Sequence, residues 1–234
     1  MELLDRLAAH PSRAAVLLDV DGVLAPIVPR PEDARVSGHV RVELRRLASR
    51  YALVACISGR AGEDARRVVG VPGLRYVGNH GLELEPGGDE WSSRLGRFLE
   101  GVDWPRVENK GLTAALHFRG EDEQEARREL DAIAERARRA GFAARYGRKV
   151  LEVVPPIEAD KGTAVASLLH ERGLERALYA GDDTTDLDAF AALELLELGV
   201  RVAVASPEGP PELAAKADLV LESQAAVLPF LRLL

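Results

Sequence analysis

A chain of 234 residues, 47% of them hydrophobic, has room for one large domain or two small ones, each with a real core. Its formal net charge of −7 excludes a general nucleic-acid binder, which needs a basic surface, and argues against docking on an anionic membrane. Aromatics make up only 5%, so the core must be built from Ala, Val and Leu. The single cysteine, Cys56, allows no internal disulfide and reads as a small buried hydrophobe in the run Ala52 to Ile57. No stretch approaches the ~18 apolar residues of a membrane span. The N-terminus has no apolar stretch of the signal-peptide kind. The expectation is a soluble cytoplasmic monomer.

In chain order, Arg13 to Asp19 is predicted as a strand. Ser37 to Arg50 is predicted as a helix with Ser37 as N-cap. Ala52 to Ile57 is a short apolar strand ending in Ser58-Gly59-Arg60. Gly62 to Val69 follows as a helix, and Arg75 to Val77 as a strand before Asn79-His80-Gly81. Strands alternating with helices imply a largely parallel sheet. The rhythm changes near Leu82. Leu112 to Phe118 alternates like a half-buried strand, and Val150 to Val154 is another. Between them Glu121 to Ala140 reads as a helix, acidic at its start and basic at its end, with Gly141 as C-cap. The α/β pattern then resumes. Lys161 to Arg172 and Thr185 to Leu195 are predicted helices. Ala177 to Ala180, Val200 to Ala205 and Leu219 to Leu221 are predicted strands, and a terminal helix falls within Gln224 to Leu234. The expected fold is therefore α/β: a Rossmann-like parallel-sheet core, residues 1–81 and 157–234, interrupted by an inserted α+β cap domain, residues 82–156.

Four segments carry the chemistry, each at a predicted strand end or helix start. In open parallel sheets, ligands bind outside the carboxyl ends of the strands. Asp19 and Asp21 stand two positions apart on an extended backbone, so both can face one site. Like charges that close need a cation or a shared proton. Ser58 follows the second strand, where its hydroxyl and nearby N–H groups suit a phosphate oxygen. Lys161 opens a helix, where an ammonium opposes the helix dipole, and it can offset a carboxylate and a bound phosphate. Gly181-Asp182-Asp183-Thr184-Thr185-Asp186 places three carboxylates directly after a buried strand. Hard oxygen ligands suit Mg²⁺, with Asp182 as direct ligand and Asp183 and Asp186 binding directly or through water. Together these groups describe phosphoryl transfer. Asp19 attacks phosphorus, Asp21 protonates the leaving alcohol and then activates water, and Lys161 and Mg²⁺ offset charge. A dinucleotide-dependent oxidoreductase would need a Gly-x-Gly-x-x-Gly turn where Asp19-Val20-Asp21-Gly22 stands.

The order Asp-x-Asp-Gly, Ser-Gly-Arg, Asp-Lys-Gly and Gly-Asp-Asp-x-Thr-Asp resembles the haloacid dehalogenase-like phosphatase superfamily. Within it, the chain looks most like the trehalose-phosphatases. The residues behind this are Asp21 to Ile27, Asn79-His80-Gly81, Lys110-Gly111-Leu112 with His117, Lys149 to Val153, and Gly181 to Asp186. The resemblance implies Mg²⁺ held by Asp19, the backbone carbonyl of Asp21 and an acidic residue of the last motif. It implies Ser58, Gly59, Arg60 and His80 as substrate-binding residues of the core. It implies cap residues Glu108, Lys110, His117 and Glu152 as sugar-binding ones. The implied substrate is trehalose 6-phosphate. Sucrose phosphate, mannosyl-phosphoglycerate and hexose phosphates remain open, because core motifs do not separate them, and a non-catalytic sugar-phosphate-binding protein is the more distant alternative. Val23, Val154 and Leu187 depart from the family's usual Thr, Arg and Glu.

Overall fold

The computed structural model describes residues 2–118, 120, 122–147, 149–206 and 209–234. In chain order the elements are α1 (Glu2–Ala8), β1 (Ala15–Leu18), α2 (Gly38–Arg50), β2 (Leu53–Ile57), α3 (Gly62–Val69), β3 (Arg75–Val77), α4 (Gly88–Leu99), β4 (Val107–Asn109), β5 (Ala114–His117), α5 (Glu123–Arg139), β6 (Ala143–Gly147), β7 (Val150–Val154), α6 (Lys161–Arg172), β8 (Arg176–Gly181), α7 (Asp186–Leu193), β9 (Leu198–Val204), α8 (Pro211–Lys216), β10 (Leu219–Leu221) and α9 (Val227–Leu231). The chain divides into two compact units, Met1–Leu84 with Ala159–Leu234, and Glu85–Glu158.

The first unit is built on a six-stranded parallel sheet of order β10-β9-β8-β1-β2-β3. Strands β1 and β2 are buried at every residue, as continuous apolar runs require when both faces of a parallel sheet are covered. Alternate side chains feed two cores. Val16, Leu18, Val54, Cys56 and Val200 pack on one face, and Leu17, Ala55, Ile57, Tyr179 and Ala203 on the other. From β1 the chain builds outward through β2 and β3 on one side, then returns to build β8, β9 and β10 on the other. The strand order therefore reverses between β1 and β8, the topological switch point at which such sheets take their ligands. Local rules hold at the helix ends. Ser37 accepts from Val40 N at 3.3 Å as the N-cap of α2, and Gly173 closes α6 in the left-handed region at φ 59°.

The second unit is a four-stranded antiparallel sheet of order β4-β5-β7-β6. Leu116, Phe118, Leu151 and Val153 face Leu95 of α4 and Leu130, Ile133 and Ala137 of α5. The period-two alternation turns Glu108, Ala115, Glu152 and Arg145 to the opposite face, where they form one cross-strand row. Helix α4 and strands β4 and β6 were not expected from sequence. Strand β4 is three residues long, and the Arg-containing run Ala143–Gly147 lacks apolar alternation. The helix expected from Glu121 begins at Glu123 with Asp122 as its N-cap; Glu121 itself lies outside the described residues.

Candidate active site

Four loops converge at the carboxyl ends of β1, β2 and β8. Asp19 follows β1, is 6% exposed, and is tied to the neighbouring strand by its amide, which donates to Ala180 O at 2.9 Å. Its Oδ1 accepts from Val20 N at 2.7 Å and its Oδ2 lies 3.0 Å from Lys161 Nζ. Lys161 is 2% exposed at the first turn of α6, held there by a capping box between Asp160 and Thr163. Asp160, as N-cap, offsets the unfavourable start that Lys161 alone would give the helix.

Carboxylate oxygens of Asp19, Asp182 and Asp186 lie within 4.8 Å of one another. Burial is the largest influence on Asp19 and raises it to about 7; Asp186 adds to the rise and Lys161 opposes it. Burial, with the charges of Asp19 and Asp186, raises Asp182 to about 8. Desolvated carboxylates pushed together in this way fit a divalent cation, which reverses both influences. Glycine at position 22, φ +79°, is required here, because a Cβ would collide with the Asp182 carboxylate.

Asp186 and Asp183, both expected near the metal, stand in different surroundings. Asp186 is fully buried and accepts four hydrogen bonds. Lys161 Nζ and Tyr179 Oη donate to its Oδ1, each at 2.7 Å. The amides of Asp182 and Asp183 donate to its Oδ2, each at 2.9 Å. These four bonds tie the loop after β8 and Lys161 to Asp186. Asp183 is exposed and its Oδ1 accepts from Thr184 N at 2.7 Å, the geometry of a turn cap. It stands outside the cluster of three.

Arg60, expected among the substrate-binding residues, is bonded within the chain. Its Nε and Nη2 donate to the two oxygens of Asp21 at 2.6 and 2.7 Å, and its Nη1 donates to Asp64 Oδ2 at 2.7 Å and Pro31 O at 3.0 Å. Ser58 is buried beside it, and its Oγ accepts from Arg60 N at 3.2 Å. His80 packs its ring over Gly59, where a Cβ would meet Nε2 at 2.6 Å. Asn79 and His80 occupy the left-handed region at φ 51° and 54°, sparsely populated for such residues. Their amides donate to Arg60 O at 2.7 Å and Ser58 O at 3.0 Å, and Glu83 accepts from Gly62 N, Gly78 N and Asn79 Nδ2. Asp64, Tyr179 and Glu83 were not found by sequence reasoning. A buried Tyr in a strand and a carboxylate on a short helix carry no motif. Cys56 is fully buried and burial pushes its thiol up, which fits packing and not nucleophilic chemistry.

In the second unit, Glu108 and Glu152 flank Ala115 on the sheet face turned away from α5, their Cα atoms about 10 Å apart at two strand spacings. His117 Nε2 lies 3.0 Å from Glu108 Oε2. Lys110 starts the β4–β5 hairpin loop, where its amide donates to Thr113 O at 2.8 Å. Glu108, Lys110, His117 and Glu152 all lie within the second unit.

A family model described as trehalose-phosphatase matches residues 17–225. The chain belongs to the trehalose-phosphatase family. A Zea mays trehalose 6-phosphate phosphatase is 30% identical over 263 residues, covering 96% of this chain and 70% of that protein. A Mycobacterium tuberculosis protein described as an uncharacterized glycosyl hydrolase is 35% identical over 213 residues, 81% of this chain but 16% of its own length. A probable trehalose-phosphate phosphatase of Arabidopsis thaliana is 30% identical over 80% of this chain and 58% of its own. The chain thus spans well under two thirds of the length of these last two relatives. Among solved structures, a trehalose-6-phosphate phosphatase of Aspergillus fumigatus shares 25% identity with TM-score 0.63 over 99% of this chain and 95% of that one. A trehalose-6-phosphate phosphatase related protein superposes with TM-score 0.77 at 24% identity, over 93% and 95% of the two chains. A haloacid dehalogenase-like hydrolase from Bacteroides thetaiotaomicron, at 15% identity and TM-score 0.64, shares the fold of this trehalose-phosphatase family member.

Proposed function

We propose that the chain is a Mg²⁺-dependent phosphatase that hydrolyses trehalose 6-phosphate to trehalose and phosphate through an aspartyl-phosphate intermediate. One observation carries this reading: Asp19 is buried beside Lys161 and Asp182 at the switch point, with Asp21 two residues beyond it. Asp19 attacks phosphorus as the bond to the sugar oxygen breaks, and Asp21 gives that oxygen a proton. In the second step Asp21 takes a proton from water as the water oxygen attacks phosphorus and releases Asp19. Lys161 keeps its charge, because its two carboxylate partners outweigh its burial, and it offsets charge on the phosphoryl group. Ser58 and the amides around it receive a phosphate oxygen. Asp19, Asp182 and the Asp21 carbonyl would hold Mg²⁺, which when bound supplies electrostatic stabilisation of the transferring group. The second unit acts as the cap, with Glu108, Lys110, His117 and Glu152 accepting and donating hydrogen bonds to sugar hydroxyls. Among the described residues no helix is long and apolar enough to cross a membrane, which fits a cytoplasmic enzyme acting on a small substrate.

The test is phosphate release from trehalose 6-phosphate, sucrose phosphate, mannosyl-phosphoglycerate and hexose phosphates, with Mg²⁺ and with chelator. Preference for trehalose 6-phosphate that disappears with chelator and in Asp19→Asn is expected. A better turnover of another sugar phosphate would overturn the substrate and keep the chemistry. Activity retained by Asp19→Asn would overturn the mechanism. Glu152→Gln is expected to raise KM for the sugar phosphate roughly tenfold, as loss of a charged hydrogen bond does.

A further inference from the structure

The Asp21 side chain is 35% exposed, so its own strand end does not fix its rotamer. The Arg60 fork does. One arm donates to each oxygen of the carboxylate, a bidentate pairing that sets both position and plane. The guanidinium cannot drift, because its remaining terminal nitrogen is tied to Asp64 and to the Pro31 carbonyl, and its backbone amide to Ser58. Asp64 is in turn gripped by Arg67 from the same helix, α3. The Arg60 side chain is only 10% exposed. A cation built to clamp a phosphate turns its fork to the ligand; this one turns it to Asp21.

We propose that Arg60, buttressed by Asp64, is a positioning residue that holds Asp21 in the orientation for proton transfer and does not bind the phosphate. This rests on the phosphatase reading above. In the first step the bond from phosphorus to the leaving oxygen breaks while Asp19 Oδ bonds to phosphorus, and the proton on Asp21 moves to the leaving oxygen. A sugar alkoxide needs that proton as it departs. A nitrophenolate departs as a stable anion and does not. Misplacing Asp21 therefore slows this first step more for sugar phosphates than for aryl phosphates, whereas general damage to the site slows it alike for both; the second step, in which Asp21 activates water, is common to both substrates.

The experiment compares kcat/KM, which covers the steps through departure of the leaving group, for wild type, Arg60→Ala, Arg60→Lys and Asp64→Asn at saturating Mg²⁺. The substrates are p-nitrophenyl phosphate and whichever sugar phosphate the wild type turns over fastest. For Arg60→Ala, kcat/KM on the sugar phosphate is expected to fall about 10²-fold, the size of a lost or misplaced proton donor. On p-nitrophenyl phosphate the fall in kcat/KM should be smaller by at least about tenfold. Arg60→Lys keeps the charge but not the fork and should recover only part of the loss. Asp64→Asn should show the same selectivity at smaller size, and it decides the matter if Arg60→Ala does not fold. Equal losses of kcat/KM on both substrates overturn the proposal and leave the phosphatase reading standing. A wild-type chain that turns over neither substrate overturns the reading, and the proposal with it.

Discussion

Asp186 and Asp183 are three positions apart in one motif, yet they live in opposite environments. Asp186 accepts four hydrogen bonds with no exposure, whereas Asp183 caps a turn in solvent. Removing the first breaks a buried charge network, so Asp186→Ala should cost about 3–5 kcal/mol in urea denaturation. Asp183→Ala should cost about 1 kcal/mol or less, as the loss of one exposed turn bond does. Equal costs would refute this division. Gly22→Ala makes a narrower point. The new Cβ displaces Asp182 while the cores on either side of the sheet stay intact. Calorimetric titration should show Mg²⁺ affinity reduced at least about tenfold at nearly unchanged far-ultraviolet circular dichroism. The pairs legible in sequence, Asp19 with Asp21 and Lys161 with the nucleophilic carboxylate, share the ends of strands or the start of a helix. Their meeting follows from the topology of parallel sheets. The Arg60–Asp21 fork was hidden because its direction depends on how two loops fold, and a basic residue beside a phosphate site has two possible targets.

At the level of elements, the predicted strands and helices of the first unit were legible because buried parallel strands read as apolar runs and their helices carry caps. The loop after β3 was legible only as a motif. Its two left-handed residues, Asn79 and His80, are held by their amides on Arg60 O and Ser58 O, and Glu83 braces the segment through Gly62 N, Gly78 N and Asn79 Nδ2. Glu83→Ala removes the acceptor shared by Gly62, Gly78 and Asn79. It should destabilise by about 2–3 kcal/mol in chemical denaturation, the range for buried polar groups that lose a partner. A cost below about 0.5 kcal/mol would mean that Glu83 does not support the loop. In the second unit, β4 and β6 escaped sequence reading because neither alternates. Glu108 was therefore placed by resemblance, and the register with Ala115 and Glu152 came only from the structure.

Across the whole molecule, the charge state of the carboxylate cluster couples stability to pH. Burial and neighbouring charge raise Asp19 to about 7 and Asp182 to about 8 in the fold, against 3.8 for a free aspartate. Both are raised, so their contribution to stability is present below about pH 4 and is lost as pH climbs through their folded values. A bound divalent cation stabilises the ionised forms. The thermal midpoint gained on adding Mg²⁺ should therefore grow from about pH 6 to about pH 9, read by differential scanning calorimetry. A gain independent of pH would show that these two carboxylates do not hold the cation.

The first unit is not continuous in sequence, and β1 lies between β2 and β8. During synthesis, then, the earliest strands leave the ribosome with one edge of β1 bare. The inserted unit, residues 85–158, is a compact body with its own sheet and helices, and it is fully translated before the sheet around it is complete. Only after Asp186 has been translated do Asp19, Lys161 and Asp182 have the neighbours that define their site. A nascent chain interrupted anywhere before that point carries an unfinished sheet edge and no catalytic centre, so activity should arrive late and all at once.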